Sequence, residues 1–355
     1  SGIGNRKSGI GNQESKNWES GMSDLKQKII ENVKNDLEDI EKALRENLTP
    51  YLDIVSQTAS HILFSGGKRL RPLLMVLSAR LCGYTGNNDK VFSTVFEYIH
   101  VATLLHDDLV DKATLRRGKP VANSIWGNSI AVLVGDFLLS RSLSIGADTG
   151  KLKLIKVVAE ITENMSQGEI HQLIRKGNIN LSELEYMDII LRKTAVLIQG
   201  ACRAGALIAD ASEEEETALS NYGLNIGMAF QIADDLLDYT SETESLGKEI
   251  GADLKEGKVT LPVIYTLKKA DSKDRKEIEK IIKNASQSQS GEWKDEKKDF
   301  QILTEMLKRY KGIDYTKEKA KEYIINAKEA LSVFRHSKTK DILLNIADYT
   351  LERNI

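Results

Sequence analysis

HVATLLHDDLVDKATLRRGKP, residues His100 to Pro120, decides how the rest of the chain is read. Its first half is apolar at helical spacing, yet Asp107, Asp108 and Asp111 interrupt it, and Arg116 and Arg117 then reverse the sign. Asp107 and Asp111, four apart, share one helix face, and Asp108 lies beside it. Like charges stacked on a helix destabilise it unless a cation binds. In isolation such a motif is more often a solvated acidic face. Apolar residues on both sides argue instead for burial. The pattern also recurs: AFQIADDLLDYT sets Asp234, Asp235 and Asp238 at the same spacing in a second apolar helix. Two buried acidic clusters on separate helices are the arrangement of metal sites in helical bundles. Carboxylates alone suit a hard cation. Mg²⁺ takes one or two of them, keeps water and shares substrate phosphate oxygens, so the clusters predict a phosphate-bearing ligand.

Working outward, the same helical periodicity fills the chain. Leu25, Ile29, Val33, Leu37, Ile40 and Leu44 mark a first amphipathic helix. A second starts near Pro50, a third runs from Pro72 towards Cys82, and a long one spans about Asp89 to Asp111. Further apolar-periodic segments cover about Ser124–Ala147, Leu152–Gly168, Leu181–Ala211, Glu213–Tyr239 and Leu261–Lys269. ASQSQSG, Ala285 to Gly291, reads as a surface loop. With only 4 prolines in 355 residues and 41% hydrophobic content, this predicts an all-α protein. It should be a single-domain bundle of ten or more helices. SGIGN occurs twice before Met22, so residues 1–21 are expected to be a disordered leader and residues 22–355 the folded domain.

A formal net charge of -2 gives no bulk field towards nucleic acid or an anionic membrane. Cys82 and Cys202 lie in apolar helical contexts and read as free thiols of a reducing compartment. No apolar run approaches the roughly 20 residues of a membrane span. A cytoplasmic protein with no transmembrane segment and no nucleic-acid partner is the expectation.

Basic residues surround the acidic motifs. Lys68, Arg69 and Arg71 occupy a glycine loop, SGGKRLRP. Arg116 and Arg117 follow the first cluster, Lys193 interrupts an apolar helix, and GKEIGADLKEGKVTLP adds Lys248 and Lys258. Arginine suits bidentate phosphate contacts and lysine acts as a point charge. Singly, each is more often a surface charge, and Arg69 and Lys248 are read that way. As a set they fit a diphosphate.

GGKRLRP, HVATLLHDDLVDKATLRRGKP, NSIAVLVGDFLLSRSL, GEIHQL, RKTAVLI, GMAFQIADDLLDYT and GKEIGADLKEGKVTLP occur in one order from Gly66 to Pro262. In that order they resemble the trans-prenyltransferases, and among them the long-chain polyprenyl diphosphate synthases. The resemblance implies the isoprenoid synthase fold, its helices around a central active-site cavity, and three Mg²⁺ held by Asp107, Asp111 and Asp234. Asp108, Asp235 and Asp238 would bond metal-bound water. It assigns Arg116, Lys193 and Lys258 to an allylic diphosphate (farnesyl or geranylgeranyl), and Lys68, Arg71, His100 and Arg117 to isopentenyl diphosphate. Thr194 and Gln231 would turn oxygen dipoles towards a carbocation, with Phe230 near the donor. It also implies a homodimer, although some relatives need a second subunit.

The chemistry accounts for the charges. Breaking an allylic C–O bond leaves a carbocation and a diphosphate whose developing charge cations stabilise. The isopentenyl alkene attacks, and a proton leaves to the diphosphate. Water would quench the cation, so the site must be dry. Chain length is a steric matter. The family's short-product enzymes carry a blocking aromatic four or five residues before the first aspartate. Here Thr103 and Ala102 stand there, with Ile99 a turn deeper, and DDLVD lacks the bacterial farnesyl insertion. The expectation is an open tunnel and a product of roughly C30 to C50, a quinone side-chain precursor. Part of its floor is expected from the Leu152–Met165 helix. A geranylgeranyl- or farnesyl-type synthase and a catalytic subunit of a heteromer stay open as alternatives. A terpene cyclase fits less well, because it lacks the isopentenyl site and a second DDLLD. A noncatalytic subunit would have lost motifs that are all present.

Overall fold

The computed structural model describes residues 11–116, 118–240, 251–287 and 296–352. Among the described residues the fold is all-α apart from one small hairpin. Helices α1 (Gly11–Asn47), α2 (Asp53–Leu63), α3 (Leu70–Leu81) and α4 (Asn88–Val110) precede strands β1 (Leu115–Arg116) and β2 (Lys119–Pro120). The strands pair antiparallel, Leu115 opposite Pro120 and Arg116 opposite Lys119. There follow α5 (Ala122–Trp126), α6 (Asn128–Asp148), α7 (Leu152–Ile174), α8 (Glu183–Ile190), α9 (Val196–Ile208) and α10 (Glu213–Thr240). The remainder is α11 (Ala252–Lys255), α12 (Leu261–Lys269), α13 (Ser272–Gln287), α14 (Glu296–Arg309), α15 (Gly312–Ala330) and α16 (Lys338–Glu352). Among the described residues that makes sixteen helices, within the expected count.

Local chemistry fixes many of the ends. Ser182 and Glu185 form a capping box at α8, and Ser212 and Glu215 repeat the same reciprocal bonds at α10. Pro262 sits in the first turn of α12, where its missing N–H costs nothing. The stretch expected as one helix from Ser124 to Ala147 is two, because Gly127 at φ 86° separates α5 from α6. The stretch from Leu181 to Ala211 is broken differently. Leu191–Ala195 forms a π-helical turn between α8 and α9. Near the start, α1 begins at Gly11, inside the expected leader. The proline-free run NQESKNWES lets the helix propagate backwards once its apolar part is docked.

Two apolar clusters build the core. One joins α1–α4, α6, α7, α9 and α16, the other α8 and α12–α14; α10 and α15 contribute to both, and Leu191, Tyr323 and Leu351 pack against both. The most extensive helix pairs are α10 with α15, α4 with α6, α9 with α10 and α3 with α9. Cys82 and Cys202 are free thiols, the second fully buried. The expectation about apolar runs needs one correction. At 21 residues with a mean hydropathy of 1.5, α6 is long and apolar enough to cross a membrane by length and composition. Asp136 and Arg141 mask that run when the sequence is read alone. In the fold α6 packs on α2, α4, α5 and α7.

Candidate active site

Both acidic clusters lie at the C-terminal ends of their helices. Asp107 and Asp108 are in the last turn of α4 with Asp111 as its C-cap; Asp234, Asp235 and Asp238 are in the last two turns of α10. That is the negative end of the helix dipole, where an acid is disfavoured by about 0.3–1 kcal/mol. The basic loop makes the opposite misplacement. Lys68 and Arg69 precede α3 and Arg71 lies in its first turn, at the positive end. Charges set against the dipole at three helix ends favour counter-ions there, cations at two and anions at the third.

All three ends open into one cavity of about 1610 Å³. Lys68, Arg71, His100, Thr103, Asp107, Asp108, Asp111 and Arg116 line it from α3, α4 and β1. Lys193 and Thr194 enter from the π turn, Phe230, Gln231, Asp234, Asp235 and Asp238 from α10, and Lys258 from the loop before α12. Arg117 and Lys248 lie outside the described residues. Of the chain-length positions only Thr103 is in the wall; Ile99 and Ala102 are fully buried behind it. A helix turns about 100° per residue. His100 and Thr103 therefore share the Asp107 face, while Ala102 sits one turn before His106, whose ring meets the α6 carbonyl of Val132. Val101, Leu104, Met165, Leu197 and Ile198 add apolar side chains to its wall.

The cations rest on acids. Arg116 donates in a bidentate fork to Asp108 at 2.7–3.1 Å, and Asp108 is only 2% exposed. Lys193 bonds Gln172 at 2.6 Å and pairs with Glu169. Lys258 lies 2.5 Å from Glu256 and 3.3 Å from Asp253. Burial lowers the Lys258 pKa, but the charges of Asp253 and Glu256 outweigh it and the net shift is upward. Burial pushes Asp107 up to about 6; Lys193 and Arg116 oppose the rise, while Glu169 and Asp111 add to it. Asp235 is raised more, by burial and then by the charge of Asp253.

A relay of hydrogen bonds joins α8, the π turn and α10. Tyr186 Oη donates to Asp235 Oδ2 at 2.7 Å, and Gln231 Nε2 donates to Asp235 Oδ1 at 2.6 Å. With its amide nitrogen committed there, Gln231 turns Oε1 to the Thr194 hydroxyl at 2.8 Å. Asp235 thus spends both oxygens on protein donors. Asp238 accepts the backbone N–H groups of Ala252 and Asp253 at 3.1 and 3.2 Å.

Arg69 is not a surface charge. It is 5% exposed, held by Glu41, Glu97 and the Leu63 carbonyl, in a left-handed backbone conformation at φ 49°. Its neighbour Arg71 lines the cavity with a buried Nε that has no hydrogen-bond partner among the described residues. Sequence reading missed Glu97, Lys176, Tyr186, Asp253 and Glu256, all in the cavity wall. The last two fall inside a motif already quoted, and their charge flanking Lys258 was the available signal.

Among the described residues no three acid, imidazole or thiol groups converge tightly enough to cage an ion unaided. Mg²⁺ asks for no such cage, since waters and phosphate oxygens complete its six positions. An all-carboxylate set at two negative helix ends, with one carboxyl already raised by burial, fits that kind of ion.

Comparison with known proteins agrees with this geometry. A family model described as polyprenyl synthetase matches residues 52–298. The octaprenyl diphosphate synthase of Haemophilus influenzae is 36% identical over 90% of this chain and 94% of its own length. A short chain isoprenyl diphosphate synthase of Methanothermobacter thermautotrophicus is 35% identical over 88% of this chain and 95% of its own. Among solved structures, a polyprenyl synthase from Caulobacter crescentus, complexed with calcium and isoprenyl diphosphate, superposes with a TM-score of 0.84. It is 36% identical and the match covers 93% of this chain and 98% of that one.

Proposed function

Since the chain belongs to the polyprenyl synthetase family and is therefore a prenyltransferase, we propose that it condenses isopentenyl diphosphate head to tail onto farnesyl or geranylgeranyl diphosphate. Repeated turnover would build a long all-trans polyprenyl diphosphate. The observation that carries this is the meeting of two acidic helix ends and one basic helix end in a single cavity whose wall also carries many apolar side chains. The unit concerned is residues 22–355.

In this reading Arg116, Lys193 and Lys258 grip the allylic diphosphate, while Lys68, Arg71 and His100 hold the isopentenyl one. The unpartnered buried Nε of Arg71 supports that role. Asp107, Asp111 and Asp234 would hold Mg²⁺, three ions by the family resemblance, which when bound neutralises charge growing on the leaving oxygen. Asp235 and Asp238 each accept protein donors at both oxygens, which would fix the orientation in which they bond metal-bound water. As the C–O bond breaks, its electron pair goes to the diphosphate. Thr194 Oγ1 and Gln231 Oε1 present their dipoles to the cation left behind, and Asp235 with Tyr186 keeps Gln231 from flipping. The isopentenyl alkene attacks, and the proton it sheds leaves with the diphosphate.

The growing tail would run from Asp107 along Thr103 towards Val101, Met165 and Ile198. No large aromatic stands at Thr103, which supports a long product of the quinone side-chain class. Val132 and Leu143, eleven residues apart on one face of α6, are exposed together with Leu133. They support a homodimer through that helix.

The test is a product assay with farnesyl diphosphate, labelled isopentenyl diphosphate and Mg²⁺, resolving chain length after hydrolysis. Products of hexaprenyl to decaprenyl length, lost with EDTA and with Asp107→Ala, are expected. A stop at geranylgeranyl would keep the reaction and refute the long tunnel. Absence of any prenyl product would refute the function.

A further inference from the structure

The three cations given to the allylic diphosphate have one thing in common. Each lines the cavity and is paired with an acid of the cavity wall: Arg116 with Asp108, Lys193 with Glu169, Lys258 with Asp253 and Glu256. Lys176 meets the same description. Its Nζ is 3.0 Å from Asp111 Oδ1, it lines the same cavity, and about a fifth of its side chain is exposed there. Asp111 belongs to the first acidic cluster, so this ammonium stands where the diphosphate and its counter-ions would gather.

The loop around Lys176 is held firmly. Gly177 donates its backbone N–H to the Gly257 carbonyl at 2.7 Å, tying the α7–α8 loop to the loop that carries Lys258. Both glycines have positive φ, 72° and 75°, which other residues adopt only with strain. The contact is close: a Cβ on Gly257 would lie 3.6 Å from the Lys176 Cβ. On the other side Arg175 is fixed by Glu185, the capping-box residue of α8. Lys176 is thus anchored at its backbone, beside Lys258, with a four-carbon stem free to redirect its charge.

We propose that Lys176 is a fourth cation of the allylic-diphosphate site, resting on Asp111 when the site is empty and bonding a diphosphate oxygen when it is filled. This rests on the function proposed above. The physical reason is charge balance. An ion arriving at Asp111 removes the lysine's counter-charge, and the diphosphate that arrives with it is the nearest replacement acceptor. An ammonium suits this because it is a compact charge with rotatable donors on a flexible stem, whereas a guanidinium presents its donors in a rigid planar fork.

The test uses inorganic diphosphate with Mg²⁺, titrated calorimetrically into the full-length protein and its Lys176→Gln and Lys176→Arg variants. Binding is read directly, with no turnover needed. Lys176→Gln should weaken diphosphate binding about ten- to a hundredfold, as for loss of a hydrogen bond to a charged group. Lys176→Arg should recover part of it. In steady state the KM for the allylic substrate should rise and that for isopentenyl diphosphate should not. If Lys176 served only to neutralise Asp111, its loss would leave diphosphate binding unchanged or tighter, and either result overturns the proposal. Both KM values rising together would overturn it too, since that places the effect outside one subsite. Should the parent protein bind diphosphate but make no prenyl product, the proposed function fails while the role of Lys176 is still read from the titration. A parent protein that binds no diphosphate would sink both.

Discussion

Replacing Gly168 by alanine should slow catalysis far more than it harms the fold. Gly168 is buried in α7 against the π turn, and a Cβ there would lie 2.6 Å from the Lys193 backbone nitrogen, 2.8 Å from Arg192 Cβ and 2.9 Å from the Arg192 carbonyl carbon. Ordinary contacts of this kind settle at about 3.5–4.0 Å, so α7 and the π turn must part by about 1 Å. A side chain could rotate aside, but these are mostly backbone atoms. The segment that moves carries Lys193 and Thr194. Overpacking of this size costs about 1–3 kcal/mol, whereas a 1 Å misplacement of catalytic groups costs about a hundredfold in rate. Initial rates with both substrates and a melting curve measure the two effects separately. Gly200→Ala is the control: its Cβ would press on the flexible end of Ile161, away from the π turn, and should lower stability without a comparable loss of kcat. A Gly168→Ala enzyme with undiminished kcat would refute the reasoning, and so would equal kcat losses in the two variants.

Other consequences follow from single groups. The Asp107 carboxyl is raised from its ordinary 3.8 to about 6, so its favourable contribution is full below about pH 4 and is lost as pH rises through 6. Metal-free Asp107→Asn should therefore melt higher than the parent at pH 7, by up to about 3 kcal/mol at about 1.4 kcal/mol per pH unit, and should be inactive; a lower melting point at pH 7 would contradict this. Arg69→Met leaves Glu97, 6% exposed, without its guanidinium. It should cost about 3–5 kcal/mol, and a further Glu97→Gln change should recover part of that loss, as denaturant melts would show. Thr103→Tyr places a ring in the cavity wall a turn from Asp107 and should shorten the product to farnesyl or geranylgeranyl length; an unaltered product ladder by chromatography would rule out this route for the tail.

Some elements could be read from the sequence almost to the residue. The segment expected at Leu261–Lys269 is α12 as found, because Pro262 opens it and Lys268 and Lys269 suit its C-terminal end. The helices carrying the two acidic motifs were placed within a residue at each end, their apolar spacing being unbroken. The motif aspartates, Lys68, Lys193, Lys258 and Arg116 line one cavity. What stayed hidden depends on contacts distant in sequence. Nothing near Tyr186 announces that it bonds Asp235, 49 positions away. Lys176 is one lysine in a polar loop until Gly257 and Asp111 are seen beside it. Whether Ala102 or Thr103 faces the cavity turns on a rotation of about 100°, which spacing from a motif does not resolve.

The π turn has a consequence for how this chain tolerates lesions. Ile189, Ile190, Lys193, Thr194, Leu197 and Ile198 all face the cavity, in pairs spaced by four residues. An ordinary α-helix would carry each successive pair about 40° further round. One wide turn absorbs that drift, the usual trace of a residue inserted into a helix. Loss of a single codon between 191 and 195 would leave a continuous α-helix with every backbone bond still made. It would also turn α8 by about 100° against α9, swinging Tyr186 from Asp235 and taking the wall out of register. A polypeptide with near-normal helix content and no organised cavity is the expected phenotype.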